Sequence, residues 1–116
     1  MLFGDTAHAI RARAQTVTRR VGMDDLKEGD LIDAVSDMWM LNHPGRIVPI
    51  ARLLVVSVRD EPLNRLLQEP DYAAVEMGKS SYPPGSSLRA VIADFISRHR
   101  NMTLSSRVTR IEFSYM

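Results

Sequence analysis

From Arg46 to Val58 the chain carries Ile47, Val48, Ile50, Leu53, Leu54, Val55, Val56 and Val58, the most strand-like stretch of the sequence. The run is long for a single strand, and Pro49 has no N–H to give a ladder, so a bend or bulge belongs near it. Shorter strands are read at Thr16–Arg20, Leu31–Val35 and Val108–Tyr115, where Ile111, Phe113 and Tyr115 share a face. Asp5 stands as N-cap before a helix containing Ala7, Ala9 and Ile10, and Pro62 and Pro70 open two short helices. Ser86 or Ser87 caps a better helix reaching His99, with Leu88, Val91, Ile92, Phe95 and Ile96 on one apolar face directed at the sheet. No regular βαβ rhythm links these elements. The pattern predicts an α+β fold: a small, mostly antiparallel β-barrel with flanking helices.

A length of 116 residues fits one domain, and residues 1–116 are read as such. The absence of cysteine excludes disulfides, Cys-ligated zinc and thiol catalysis. The longest aliphatic run, Leu53 to Val56, is far short of the roughly 20 residues of a membrane helix. The start of the chain shows no secretory pattern, so a cytoplasmic protein is expected. The formal charge is +1, which gives no global drive towards polyanions. Charge is nonetheless segregated. Arg11, Arg13, Arg19 and Arg20 crowd the first segment, whereas Asp24, Asp25, Glu28, Asp30, Asp33 and Asp37 follow around a single Lys27.

Several motifs fail on spacing. Met77-Gly78-Lys79-Ser80 resembles the end of a phosphate-binding loop, but Ala73 stands where that motif needs glycine and a helix precedes it. His8, His43 and His99 lack ligand spacing, so neither a metal nor a cofactor is expected. What remains is Gln15-Thr16-Val17-Thr18-Arg19-Arg20. Threonines alternating along a strand and followed by two arginines form a hydrogen-bonding wall for a base, sugar or phosphate; equally, they suit a polar edge strand.

This segment resembles the ASCH family, small members of the PUA-like superfamily, many phage-encoded members of which read Lys-Thr-x-Thr-Arg-Arg after a short helix. The Gly29-Asp30 turn, Trp39, the Ala51-to-Val58 strand, a helix with Glu76, and the closing Val108-to-Phe113 strand keep the order of the family's landmarks. The resemblance implies a phage-type, PUA-like barrel with a cleft for RNA or a nucleotide, bordered by Gln15, Thr16, Thr18, Arg19, Arg20 and Trp39. One branch of small bacterial ASCH proteins hydrolyses the acyl group of N4-acetylcytidine with a lysine and the second threonine of Lys-Thr-x-Thr and a later glutamate. Carried over, the threonine is Thr18 and the glutamate Glu76. The lysine position holds Gln15, which cannot serve as a base, and Lys79 is the amine nearest Glu76 in sequence. A binding module is therefore the leading expectation. An amidohydrolase is the first alternative, and a phage accessory protein docking on a host protein through a surface such as Met38 to Leu41 is the second.

Overall fold

The computed structural model describes residues 1–4, 6–36, 47–82 and 85–116. The elements run α1 (Ala7–Arg11), β1 (Val17–Arg20), β2 (Leu31–Ser36), β3 (Val48–Pro62), α2 (Arg65–Gln68), α3 (Pro70–Lys79), α4 (Leu88–Ser97) and β4 (Arg107–Tyr115). The strands form one antiparallel sheet in the order β1-β4-β3-β2. The fold class is α+β, as the pattern predicts, but the sheet is open and is not a closed barrel. Among the described residues β1 pairs only with β4, while β2 takes β3 on one edge and a short parallel bridge from Leu2 on the other. Phe3 N–H donates to Val35 O at 2.8 Å and Val35 N–H to Met1 O at 2.9 Å, so the chain start covers the β2 edge.

The long strand survives because it bends twice. The register against β2 shifts between Ala34 and Val35, which face Ala51 and Pro49, so Ile50 is the extra residue beside the proline. A second shift places Val56 outside the pairing with β4. Each bulge sharpens the local twist, which lets one strand of 15 residues run to Pro62, beyond the expected end at Val58.

Three boundaries differ from the sequence reading. β1 starts at Val17, and Thr16 lies outside it, held by its N–H to Lys79 O (2.8 Å) and by Phe113 N–H to its own carbonyl (2.9 Å). α1 ends at Arg11 because Arg13 turns into the left-handed region, at φ 57°. Thr6 occupies the N-cap position of α1 without a capping side-chain bond, and Asp5 lies outside the described residues.

Two apolar clusters flank the sheet. One joins Phe3, Ile10, Ile32, Leu53, Ile111 and Phe113 between the N-terminal segment and the strands. The other joins Leu63, Leu66, Ala73, Ile92 and Val108 among α2, α3, α4 and β4. Ser87 caps α4 by accepting from Ala90 N–H (3.4 Å). The apolar face of α4 is not buried wholesale against the sheet: Ile92 alone is fully buried, while Val91 and Phe95 stay half-buried. The reason is a cavity between α4 and β1.

Candidate functional site

That cavity, open to solvent on one side, has a volume of about 730 Å³. β1 contributes Thr18, Arg19 and Arg20, α3 contributes Glu76, α4 contributes Phe95, and the segment before β1 contributes Gln15. Because β1 is an edge strand, residues from both of its faces reach the cavity. Gln15, Thr18, Arg19, Arg20 and Glu76 are therefore brought together, whereas Thr16 and Lys79 are absent from the wall. Lys79 Nζ instead meets Glu112 at 3.3 Å. Trp39 and the Met38-to-Leu41 surface lie outside the described residues.

Strand register explains the charge arrangement. Arg19 faces Arg110 across β1 and β4, and Arg110 faces Arg59 across β4 and β3, so three arginines form one row over the sheet. Like charges at such spacing repel, and α3 supplies the remedy. Glu76 Oε1 accepts from Arg19 (2.6 Å) and from Arg110 Nε (2.5 Å), and its Oε2 accepts from Arg110 at 2.9 Å. Glu61 joins from β3, accepting from Arg19 (2.9 Å) and Arg65 (2.8 Å). Tyr72 donates to Glu61 and accepts from Arg59 at 3.1 Å. Burial alone pushes the Glu76 carboxyl up, but the hydrogen bonds and charges of Arg110 and Arg19 outweigh it and hold the group at about 2. Burial and the bond to Glu61 push the Tyr72 hydroxyl up to about 12. Both groups keep one protonation state across the physiological range.

The two consecutive arginines thus differ. Arg19 is neutralised by two carboxylates. Arg20 lies 4.6 Å over the Phe3 ring and donates to Thr18 Oγ1 at 3.2 Å, with no carboxylate partner among the described residues. Burial draws its guanidinium below the ordinary arginine value. Thr18 Oγ1 consequently accepts from a cation and has neither Lys79 nor a free carboxylate as base. Gln15 is held from outside, with its carbonyl accepting from Tyr115 Oη at 2.6 Å. Its Nε2 donates to Val17 O at 2.9 Å, while Oε1 is buried without a partner.

Sequence reasoning missed Glu61, Tyr72 and Arg110. Arg110 had a signal: a charge in the middle of β4, where Val108, Thr109 and Ile111 are buried on both faces. Tyr82, Phe95 and His99 border the same cavity and belong to no motif. No group of metal-ligating side chains occurs among the described residues, and no described helix is long and apolar enough to cross a membrane.

No family model matches the chain, and no curated protein matches it in sequence. Two solved structures do resemble it. The crystal structure of an ASCH domain from Lactobacillus crispatus JV V101 superposes with a TM-score of 0.56 at 11% identity, covering 96% of this chain and 70% of that one. A DUF984 protein from Enterococcus faecalis V583 gives a TM-score of 0.56 at 11% identity, covering 97% and 71%. Identity at this level speaks for architecture alone, and it covers nearly every residue described above. The chain has the fold of an ASCH domain.

Proposed function

We propose that the chain is a cytoplasmic binding module that takes a nucleotide, or a short single-stranded RNA segment, into the cavity between β1 and α4. One observation carries this reading: Arg20 presents a half-buried guanidinium on the cavity wall with no carboxylate among the described residues to neutralise it, beside an Arg19 whose charge is met by Glu61 and Glu76. A cation kept partly out of water without a counter-ion is costly, and an anionic ligand relieves that cost. Phe95 and Tyr82 add aromatic side chains to the lining for a base to pack against, and about 730 Å³ is ample for a base with its sugar and phosphate. A binding role also asks nothing of Thr18 beyond a hydrogen bond.

Fluorescence anisotropy with short labelled RNA, together with calorimetry using nucleoside monophosphates, tests the reading. Arg20→Gln should weaken binding at least about tenfold and leave urea stability within about 1 kcal/mol of the parent. Affinity of the parent should fall as salt rises, and less steeply for the variant. Absence of binding, or binding indifferent to Arg20, overturns the assignment.

A further inference from the structure

A second cavity, of about 520 Å³, lies beside the first, and the two share Met77 and Tyr82 in their linings. Ala73, Ala74 and Gly78 of α3 and Leu88 of α4 border it further. No charged side chain lines it among the described residues, whereas Arg19, Arg20 and Glu76 line the first. Gly78 gives the space a sharper meaning. It sits inside α3, where glycine costs about 1 kcal/mol against alanine. Its backbone is not left-handed, and a Cβ built on it would meet no atom within 4 Å. Neither backbone conformation nor a closely packed neighbour therefore calls for glycine here. What the missing side chain leaves is open space on the wall of the second cavity. Tyr82, which borders both cavities, is the one exposed aromatic side chain among the described residues, at 38%.

We propose that the second cavity is a subsite for a second nucleobase. The ligand is then a single-stranded dinucleotide step, with one nucleotide in the first cavity, its phosphate on Arg20, the neighbouring base in the second cavity, and Tyr82 between the two. This rests on the nucleotide reading above and adds the length of the ligand. An uncharged lining suits a neutral base, while a further phosphate or an acidic side chain would lose its water there without gaining a counter-ion. Continuity decides against an unrelated apolar guest. An occupant that leaves a cationic cavity and enters an uncharged one past an exposed aromatic ring needs a charged backbone and flat apolar plates in succession. Unstacked single strands have that build, and they pack their bases on aromatic side chains with little regard to sequence.

Calorimetry of the full chain with AMP, with the dinucleotide pApA, and with the two pApA analogues that each lack one base decides the matter. The analogues keep the backbone and its charge, so the comparison isolates the second base. The parent chain should bind pApA at least about tenfold more tightly than either analogue. In Gly78→Leu the new side chain fills the second cavity, and pApA affinity should fall to within about twofold of the better analogue. AMP binding should persist, because Gly78 does not border the first cavity, and stability in urea should be equal or higher, because leucine suits a helix better than glycine. Tyr82→Ala lies outside the helices and should likewise shrink the ratio of pApA to AMP affinity, while Tyr82→Phe should keep it. Affinity for pApA no better than for its analogues, or an advantage that survives Gly78→Leu or Tyr82→Ala, overturns the second subsite and leaves nucleotide binding standing. Failure of AMP and pApA alike to bind overturns the second subsite and the nucleotide reading together.

Discussion

Glu76 pairs with two arginines of the row, Arg19 and Arg110, and its energetics follow from that position. Its pKa of about 2 lies below the ordinary 4.5, so its ionisation stabilises the folded state fully above pH 4.5. That contribution disappears as pH falls through about 2. A shift of this size corresponds to roughly 3 kcal/mol, and urea unfolding at pH 7, 4 and 2.5 should show most of the loss between the last two. Glu76→Gln should cost about 3–5 kcal/mol at pH 7, because Arg110 and Arg19 would be left buried with an insufficient counter-charge, and should flatten the acid dependence. A variant as stable as the parent would mean that Glu61 and Tyr72 alone balance the row. The same residue bears on chemistry. Both Glu76 oxygens are occupied by guanidinium groups, Lys79 is engaged by Glu112, and Thr18 accepts from Arg20. None of these groups is poised to take a proton, so we expect no acetate release from N4-acetylcytidine above background. Gln15→Lys should restore little, since general-base help worth about 10²–10⁴-fold needs a base with a free lone pair beside the hydroxyl. Turnover by the parent chain that is abolished by Thr18→Ala would replace the binding reading with an amidohydrolase. Gln15, Thr18, Arg19, Arg20 and Glu76 could be singled out from local pattern and resemblance. Glu61 and Tyr72 could not, and Arg110 showed only as a charge within an apolar strand, because their roles exist only once strand register has aligned three arginines that are far apart in sequence.

The elements themselves were largely legible, for a physical reason in each case. β3 announces itself through its β-branched density, and Pro49 marks its first bulge, since a residue without an N–H must sit where the ladder is interrupted. The second bulge, at Val56, has no such mark: a valine bulges there because of how β4 meets β3, which is a tertiary matter. Closure of the sheet was equally hidden. Alternation tells which strands have a buried face, but whether the edge strands meet depends on twist and stagger. α4 shows the limit most clearly. Its apolar stripe is right in period, yet one part of it serves the core and another part borders the cavity. The two parts should separate under mutation. Ile92→Ala removes a buried anchor of the helical cluster and should cost about 2–4 kcal/mol in urea unfolding. Phe95→Ala acts on a half-buried ring and should cost less stability while weakening nucleotide binding more than Ile92→Ala does. The reverse ranking in binding would remove Phe95 from the site.

The cavity at the scale of the whole molecule lies where the sheet meets the helical layer, with walls drawn from the N-terminal segment, β1, α3 and α4. The apolar clusters on either side are separate, one around Phe113 and Phe3, the other around Ile92 and Val108. β1 is the shortest strand and has one strand partner among the described residues, so the edge that forms the cavity is also the least supported part of the sheet. A ligand that contacts Arg20 on one side and Phe95 on the other would tie that edge to α4. It would then bind the folded chain and not the unfolded one, and stability should rise by RT ln(1 + [L]/Kd), about 2.7 kcal/mol at a hundredfold excess over Kd. For a domain of this size that is an increase of roughly 10 °C or more in Tm, readable in a thermal melt titrated with AMP. Arg20→Gln should melt close to the unliganded parent and respond to nucleotide only at much higher concentration. Hydrogen exchange should slow first in Val17–Arg20 and in the neighbouring turns of α4, ahead of the β2–β3 hairpin on the far side of the sheet. Protection that instead appears first at β2 would place the ligand elsewhere on the molecule, and the cavity between β1 and α4 would lose its claim to be the binding site.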